Sequence, residues 1–443
     1  MENFFKMNTE EKKVNLFWFR RGLRLHDNAA FYHALKSGIP VLPVFIFDKK
    51  ILDNLHDKRD KRVAYIYETL DAINETLKKH KSSLYVLNDI PINAFETLCN
   101  DFDVMEVFTN HDYEPYAIER DSNIKRFLDE KKIPFHAFKD QVIFEKAEVL
   151  KPNGEPYTIF TPYSNTWKQK LGNEEIKHFP SEKYLSNLFK TKPFHFPSLK
   201  EIGFEKNDFD FPKLNISEKL IRDYDETRNI PSVEGTSFAS MYLRFGTVSV
   251  RNLVKTALKT NEKWLNELIW REFFMMILFH FPNVVNENFK RKYDGIKWRN
   301  NEKEFELWCK GETGYPIIDA GMRQLNETGW MHNRVRMIVA GFLCKDLLID
   351  WRWGEAYFAE KLLDYELSSN NGNWQWAAGT GCDAAPYFRV FNPSEQIKKF
   401  DPKLLYIKRW IKNFRPGYLP EIVNHSFARK RALEVYKTAL EEK

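Results

Sequence analysis

Between residues 14 and 140 short, almost wholly apolar runs alternate with longer segments in which apolar residues return every three or four positions. The runs at 14–19, 41–48, 84–88, 104–109 and 134–138 have the length and continuous hydrophobicity of strands covered on both faces. Segments 59–80 and 116–131 carry the helical period instead. Strand and helix in repetition predict a doubly wound parallel α/β domain over 14–140. That rhythm is lost over 141–215, where Pro, Lys, Asn and aromatic residues predominate, and an interdomain connector is expected there. From 216 to 443 the pattern is helical, most plainly at 264–281, 302–309, 317–326, 332–350, 355–363 and 427–442. The fold class is therefore α/β followed by all-α, with no internal repeat.

A chain of 443 residues exceeds one ordinary core, in keeping with this division. Aromatic residues make up 15%, with 12 Trp and 37 Phe, which is more than core filling requires and points to a use for aromatic rings. The formal charge of +6 is concentrated at one end, because residues 397–443 hold 12 basic and 5 acidic side chains. Such a face suits nucleic acid, or is a solvated helical surface. Cys99, Cys309, Cys344 and Cys382 lie far apart, without a C-x-x-C pair or a His at ligand spacing, so no metal site is expected. Free thiols and a polar, charged start over residues 1–13 predict a cytoplasmic protein, and no apolar stretch is long enough to span a membrane. The α/β part lacks both G-x-G-x-x-G and G-x-x-x-x-G-K-[ST], so a nucleotide cofactor would bind elsewhere.

Three clusters could hold it. The apolar segment 264–278 carries Glu267, Trp270 and Arg271 within one turn; Glu267 either pairs with Arg271 in the core or faces a cavity and a polar ligand. Residues 328–337 open a helix with Trp330, His332, Asn333, Arg334 and Arg336, where free N–H groups and positive charge favour an anion or, equally, surface ion pairs form. Gly235-Thr236-Ser237 and Ser240 precede another helix and offer neutral donors to a diphosphate, or simply cap the helix. Beyond these, the run Asn370-Asn371-Gly372-Asn373-Trp374-Gln375-Trp376, read as an amide-rich loop with two indoles, suits a flat aromatic ligand.

With these clusters in order the chain resembles the photolyase/cryptochrome flavoproteins, most closely the bacterial class I members that repair cyclobutane pyrimidine dimers. The resemblance runs from Trp18-Phe-Arg-Arg-Gly-Leu-Arg-Leu-His-Asp-Asn28 through Trp264-Leu-Asn-Glu-Leu-Ile-Trp-Arg-Glu272 and Thr313-Gly-Tyr-Pro316 to the stretch 370–389. It implies an N-terminal Rossmann-like domain joined through a long connector to a helical domain that holds FAD, active as FADH−. By the same resemblance Tyr224, Thr236, Ser237 and Ser240 contact the phosphates and ribityl chain, and Trp264, Arg271, Trp330 and Asn333 pack around the cofactor. Arg336 and Asp364 match the ion pair beside the isoalloxazine, with Glu366 where many relatives carry Asp. Asn370 matches the amide facing flavin N5.

Glu267, Trp270, Met337 and Trp376 match the pocket for a flipped-out dimer, with Glu267 as a hydrogen-bond donor to its carbonyl. Trp376, where DASH-type relatives carry Tyr, and the absence of the His pair of (6-4) photolyases favour dimer repair. Trp374, Trp351 and Trp298 match the tryptophan chain that re-reduces the flavin. Arg228, Arg334 and Arg389 match grips on the phosphates of UV-damaged DNA, single- or double-stranded. Glu114 resembles an antenna contact, but Val285-Asn286 replaces the Cys-Lys pair that assists folate binding, so a folate, a deazaflavin, another flavin or an empty site all stand open. The expected protein is a monomeric light-driven repair lyase. The alternatives are repair of (6-4) photoproducts and blue-light signalling, the latter disfavoured because the chain stops soon after the helical part.

Overall fold

The computed structural model describes residues 13–441. The polar start over residues 1–12 and position 442, the expected end of the last helix, lie outside the described residues. The chain divides into two compact units. Of the described residues, the first comprises 13–145, Glu174–Lys213 and Tyr242–Thr256; the second comprises Lys146–Asn173, Leu214–Met241 and 257–441. The segment 141–215 is thus shared between the units, and it contains a helix, Phe160–Gly172, and a 3-10 turn, Ser181–Asn187.

The first unit is the expected parallel sheet. Strands β1 (Lys13–Phe19), β2 (Val41–Asp48), β3 (Tyr85–Asp89), β4 (Asp103–Asn110) and β5 (Phe135–Phe138) lie in the order β3-β2-β1-β4-β5, every pairing parallel. Helices α1 (Ala29–Leu35), α2 (Lys61–Lys79), α3 (Pro91–Asp101) and α4 (Pro115–Glu130) connect them. Central β1 and β2 are buried almost throughout, which is why their sequences read as unbroken apolar runs rather than alternating ones. On one face Val14, Leu16 and Trp18 of β1 meet Ala94, Phe95 and Leu98 of α3 and Ile124 and Leu128 of α4. Sequence order reverses between β1 and β4, where open α/β sheets bind ligands beyond the strand ends. Here that position holds buried ion pairs: Arg20 with Asp121, and Arg21 with Asp112 at 3.1 Å.

The second unit is helical. Helix α5 (Phe160–Gly172) is followed by α6 (Glu262–His280), α7 (Asn333–Gly341), α8 (Trp351–Lys361), α9 (Leu367–Ala378) and the C-terminal α10 (His425–Glu441), with further helices between, among them the expected Glu302–Lys310 and Pro316–Thr328. Helix α6 is apolar around most of its circumference and buried along most of Trp264–Leu278; it starts where Asn261 accepts hydrogen bonds from the N–H groups of Lys263 and Trp264.

Two expectations for this unit are corrected. The single helix expected over 332–350 is three pieces: α7, a wide π-turn at Phe342–Asp346, and a break before α8. Leu348 adopts φ +52°, which no helix accommodates, and Asp350 caps α8 by accepting from the Arg352 N–H. The run 370–376, expected as a loop, lies inside helix α9. Its amides, poor helix formers in isolation, are satisfied by tertiary partners: Asn371 and Gln375 donate to the Val284 carbonyl at 3.0 and 2.9 Å, and Asn370 donates to Glu355. Gly372 leaves room for the Phe274 ring of α6, so the two helices approach closely.

Candidate functional site

Two helical stripes build a cavity in the second unit. Asn333, Arg336, Met337 and Ala340 lie at i, i+3, i+4 and i+7 on α7; Asn370, Asn373, Trp374 and Ala377 lie at the same spacing on α9. Together with Phe358, Leu362, Asp364, Tyr365, Glu366, Ser369 and Trp376 they line an open cavity. Aromatic and aliphatic walls with a few convergent polar groups are the usual make-up of a site for a flat cofactor.

The polar groups are already oriented. Arg336 donates through Nη2 to both oxygens of Asp364, at 3.1 and 2.9 Å, and through Nε to the Met331 carbonyl at 2.7 Å. The Ser240 hydroxyl donates to Asp364 at 2.6 Å, so the hydroxyl cluster at 235–240 reaches this pair. Ser237 accepts from the N–H of Ala239, the first residue of the helix Ala239–Phe245, at 3.3 Å. Glu366 accepts from the hydroxyls of Ser368 and Ser369 at 2.7–2.8 Å. Asn370 donates Nδ2 to the carbonyl of Glu355 at 3.1 Å and to its carboxyl at 2.9 Å, which leaves the acceptor Oδ1 as the group it can offer a ligand N–H.

A second cluster surrounds Glu267. The sequence left Glu267 to pair with Arg271 or to face a cavity; the structure pairs it instead with Arg228, Nη1 to Oε1 2.7 Å, because the turn after Tyr224–Thr227 brings that arginine across α6. Burial raises the Glu267 carboxyl above its ordinary range and the guanidinium only partly opposes this. The side chain retains about a third of its surface, 32%, so it is accessible to a ligand. Arg228 also lies over the Tyr224 ring at 5.2 Å. The next residue, Asn229, accepts from Arg334 at 2.6 Å, and the Arg334 guanidinium lies 4.5 Å above the centre of the Phe400 ring. Trp270 stacks one face on Phe160, centroids 3.7 Å apart and planes within 4°.

The structure thus brings Asn333, Arg336, Met337, Asp364, Glu366, Asn370, Trp374 and Trp376 to one cavity, with Ser240 joined through Asp364. Arg228, Glu267, Arg334 and Tyr224 form the adjoining charged group. Trp264 is buried on α6, and Trp330 packs on Phe238 with centroids 4.7 Å apart. Thr236, Arg271 and Arg389 are not among the cavity's lining residues, and Arg389 is exposed. Trp374 and Trp351 are buried in one hydrophobic cluster against which half-buried Trp298 packs. Trp351 is held by a hydrogen bond from Nε1 to Asn288 at 2.9 Å. In the first unit Glu114 is engaged by Arg21 at 3.2 Å and Arg244 at 3.5 Å.

Sequence reasoning missed Glu355, Asn229 and Phe160, since each acts through a partner distant in sequence and carries no local pattern. Ser369 and Asn373 follow from continuing the helical stripe through 369–377, a signal hidden by reading that run as a loop.

Comparison with known proteins agrees with this geometry. Residues 15–182 match the family described as DNA photolyase, and residues 264–416 match the FAD binding domain of DNA photolyase. A deoxyribodipyrimidine photo-lyase of Vibrio cholerae is 35% identical over 96% of this chain and 100% of its own length. The crystal structure of a class III photolyase from Agrobacterium tumefaciens superposes with a TM-score of 0.84 at 30% identity, covering 100% of both chains. An archaeal photolyase from Sulfolobus tokodaii, solved with two FAD molecules, gives 0.79 at 33% identity, covering 96% of this chain and 100% of that one. With cavity, helical frame and full-length similarity in agreement, this chain belongs to the DNA photolyase family.

Proposed function

We infer that the chain is a light-driven DNA repair enzyme that splits cyclobutane pyrimidine dimers with FAD as its cofactor. The observation that carries this is the convergence of the α7 and α9 stripes on one aromatic cavity, next to a carboxyl group raised by burial. The residues present fit the cofactor: Tyr224, Thr236, Ser237 and Ser240 would take its phosphates and ribityl chain, and the Arg336–Asp364 pair, Glu366 and Asn370 its polar ring edge. Trp264, Arg271, Trp330 and Asn333 would pack around it. Reduced FAD, when bound, supplies on illumination the electron that opens the dimer and receives it back.

The chain's own groups orient and stabilise. Asn370, with Nδ2 committed to Glu355, presents an acceptor to a ring N–H. Glu267 is moved by burial toward its protonated form, in which it can donate to a pyrimidine carbonyl where negative charge develops. Trp270, Met337 and Trp376 stack on and enclose the flipped-out bases, with Trp270 itself held against Phe160. Arg228, Arg334 and Arg389 hold phosphates of UV-damaged DNA, in single or double strands. The order Trp374, Trp351, Trp298 runs from two buried rings to a half-buried one and suits passage of an electron from the surface inward.

No described helix is long and apolar enough to cross a membrane. On this reading the protein works as a monomer in the cytoplasm, a reducing compartment that suits its four free thiols. Glu114 is proposed as a contact for an antenna chromophore (a folate, a deazaflavin or a flavin), to be shared with Arg21 and Arg244. Cofactor retention tests the cavity assignment: the purified protein should hold stoichiometric FAD, and Asp364→Asn should lose it readily. A folded protein that neither carries nor takes up FAD refutes the reading.

A further inference from the structure

Between Met337 and Ile349 the sequence is apolar apart from two adjacent charged residues, Lys345 and Asp346, and these fall in the π-turn that follows α7. Such widened turns collect at functional sites. Asp346 is explained by His425, whose Nδ1 lies 2.6 Å from its carboxylate. Lys345 is not explained by any carboxylate: it is 2% exposed and forms no ion pair among the described residues. Its Nζ donates to the backbone carbonyl of Tyr387 at 2.9 Å and stands 4.4 Å from the centre of the Tyr436 ring.

Three elements meet at this ammonium. The Tyr387 ring stacks on Tyr436 of α10, 5.8 Å between centroids and 7° between planes. The Tyr436 hydroxyl donates to the carbonyl of Ala378, the last residue of α9, at 2.7 Å. Gly379 then ends α9 with φ +89°; a side chain there would press within 3.4–3.5 Å of Lys345 Nζ, the Ala385 carbonyl and the Tyr387 Cα. Beyond Tyr387 the chain presents Phe388 and Arg389, both exposed.

Burial pushes the ammonium down to about 8. A fold that only needed this space filled would place Leu or Met here and avoid burying an ion without a counter-charge. What the ion provides is a fixed point two residues before Arg389.

We propose that Lys345 is a positioning residue for DNA: by holding the Tyr387 carbonyl it presents Arg389 to a phosphate of the damaged strand. The proposal rests on the reading of Arg389 as a phosphate contact. An arginine on a tethered backbone surrenders less conformational freedom on binding than one on a loose loop.

Lys345→Met keeps the apolar stem and removes donor and charge. In the flavin-loaded protein it should weaken binding of a dimer-containing oligonucleotide roughly tenfold, with kcat at saturating DNA changed far less. Although Lys345 touches no phosphate, its loss should also reduce the slope of log K against log salt, by about 0.7–0.9 if one phosphate contact goes. A merely structural role would not move that slope. Lys345→Gln, which retains an N–H donor, should recover much of the affinity, and Lys345→Met/Arg389→Gln should bind no worse than Arg389→Gln alone.

If Arg389→Gln binds like wild type, the reading of Arg389 fails. If it binds weakly while Lys345→Met keeps wild-type affinity and salt slope, or if the two losses add, the positioning role is overturned. Should the Lys345 variants not fold, hydrogen exchange of the wild type decides: protection of 387–389 without DNA supports the anchor, and exchange as fast as a free loop refutes it.

Discussion

Gly372→Ala tests how α9 is held against α6. Gly372 lies in the middle of α9, where helix propensity alone favours alanine by about 1 kcal/mol. Tertiary packing opposes the change. A Cβ at this position would fall inside contact distance of Cδ1 and Cε1 of Phe274 and 3.0 Å from its Cγ. Phe274 is 5% exposed and packs 5.5 Å from Trp270, so only the small cavity it lines beside Gly372 is open to its ring. Overpacking of this kind costs about 1–3 kcal/mol, and the depth of the overlap points to the upper end. About 3 against about 1 leaves a net loss near 2 kcal/mol, roughly thirtyfold in the unfolding equilibrium. Urea unfolding followed by tryptophan fluorescence, with flavin release read in parallel, should show a lower midpoint for Gly372→Ala. Phe274→Leu in the same background should recover part of it. If Gly372→Ala is as stable as wild type or more so, propensity has outweighed packing and the account of the α6–α9 contact is wrong.

Acid should loosen the start of α7. Burial, then Arg334, Arg336 and Arg228, push the His332 imidazole down to about 4 from its usual 6.5. The unfolded chain takes up this proton as pH falls through 6.5 while the folded ring refuses it until about 4. Stability is therefore complete above 6.5 and declines by about 3 kcal/mol across that window; His332→Asn should flatten urea midpoints measured between pH 7 and 4.5, and an unchanged slope contradicts the assignment. Trp351→Phe and Trp298→Phe should retain flavin yet fail to re-reduce it under blue light with an external reductant, monitored by absorbance; wild-type rates in either variant would remove it from the relay. Each arginine that holds a phosphate contributes about 0.9 to the salt slope on duplex DNA, so Arg334→Gln should lower the slope by about that amount in a filter-binding series across salt concentrations, and an unchanged slope would exclude a phosphate contact there.

The sheet was legible because β1 and β2 are buried on both faces and announce themselves as continuous apolar runs. The two shorter connecting helices were not, since the seven- and eleven-residue segments Ala29–Leu35 and Pro91–Asp101 give the helical period too few turns to register. In the helical unit the long apolar α6 was read nearly to its ends. The run 370–376 misled for a physical reason: Asn and Gly argue against a helix locally, and only the carbonyl of Val284, the carboxyl of Glu355 and the ring of Phe274 make the helix the satisfied state. The same limit hid the partner of Glu267. An i,i+4 arginine on its own helix was visible in sequence, whereas Arg228 arrives from a turn 39 positions earlier. Lys345 left a trace, a lone Lys-Asp in an apolar run, but its partner carbonyl could be found only in three dimensions.

The central claim is that light absorbed at the α7–α9 cavity opens pyrimidine dimers held beside Glu267. Its most direct measurement is the absorbance of a thymine-dimer oligonucleotide mixed with the anaerobically reduced, FAD-loaded protein under near-ultraviolet or blue light. The account predicts that thymine absorbance returns in the light, stays lost in the dark, and returns much more slowly with Glu267→Ala. Dimers left intact by an illuminated, fully reduced protein that binds the DNA would contradict it.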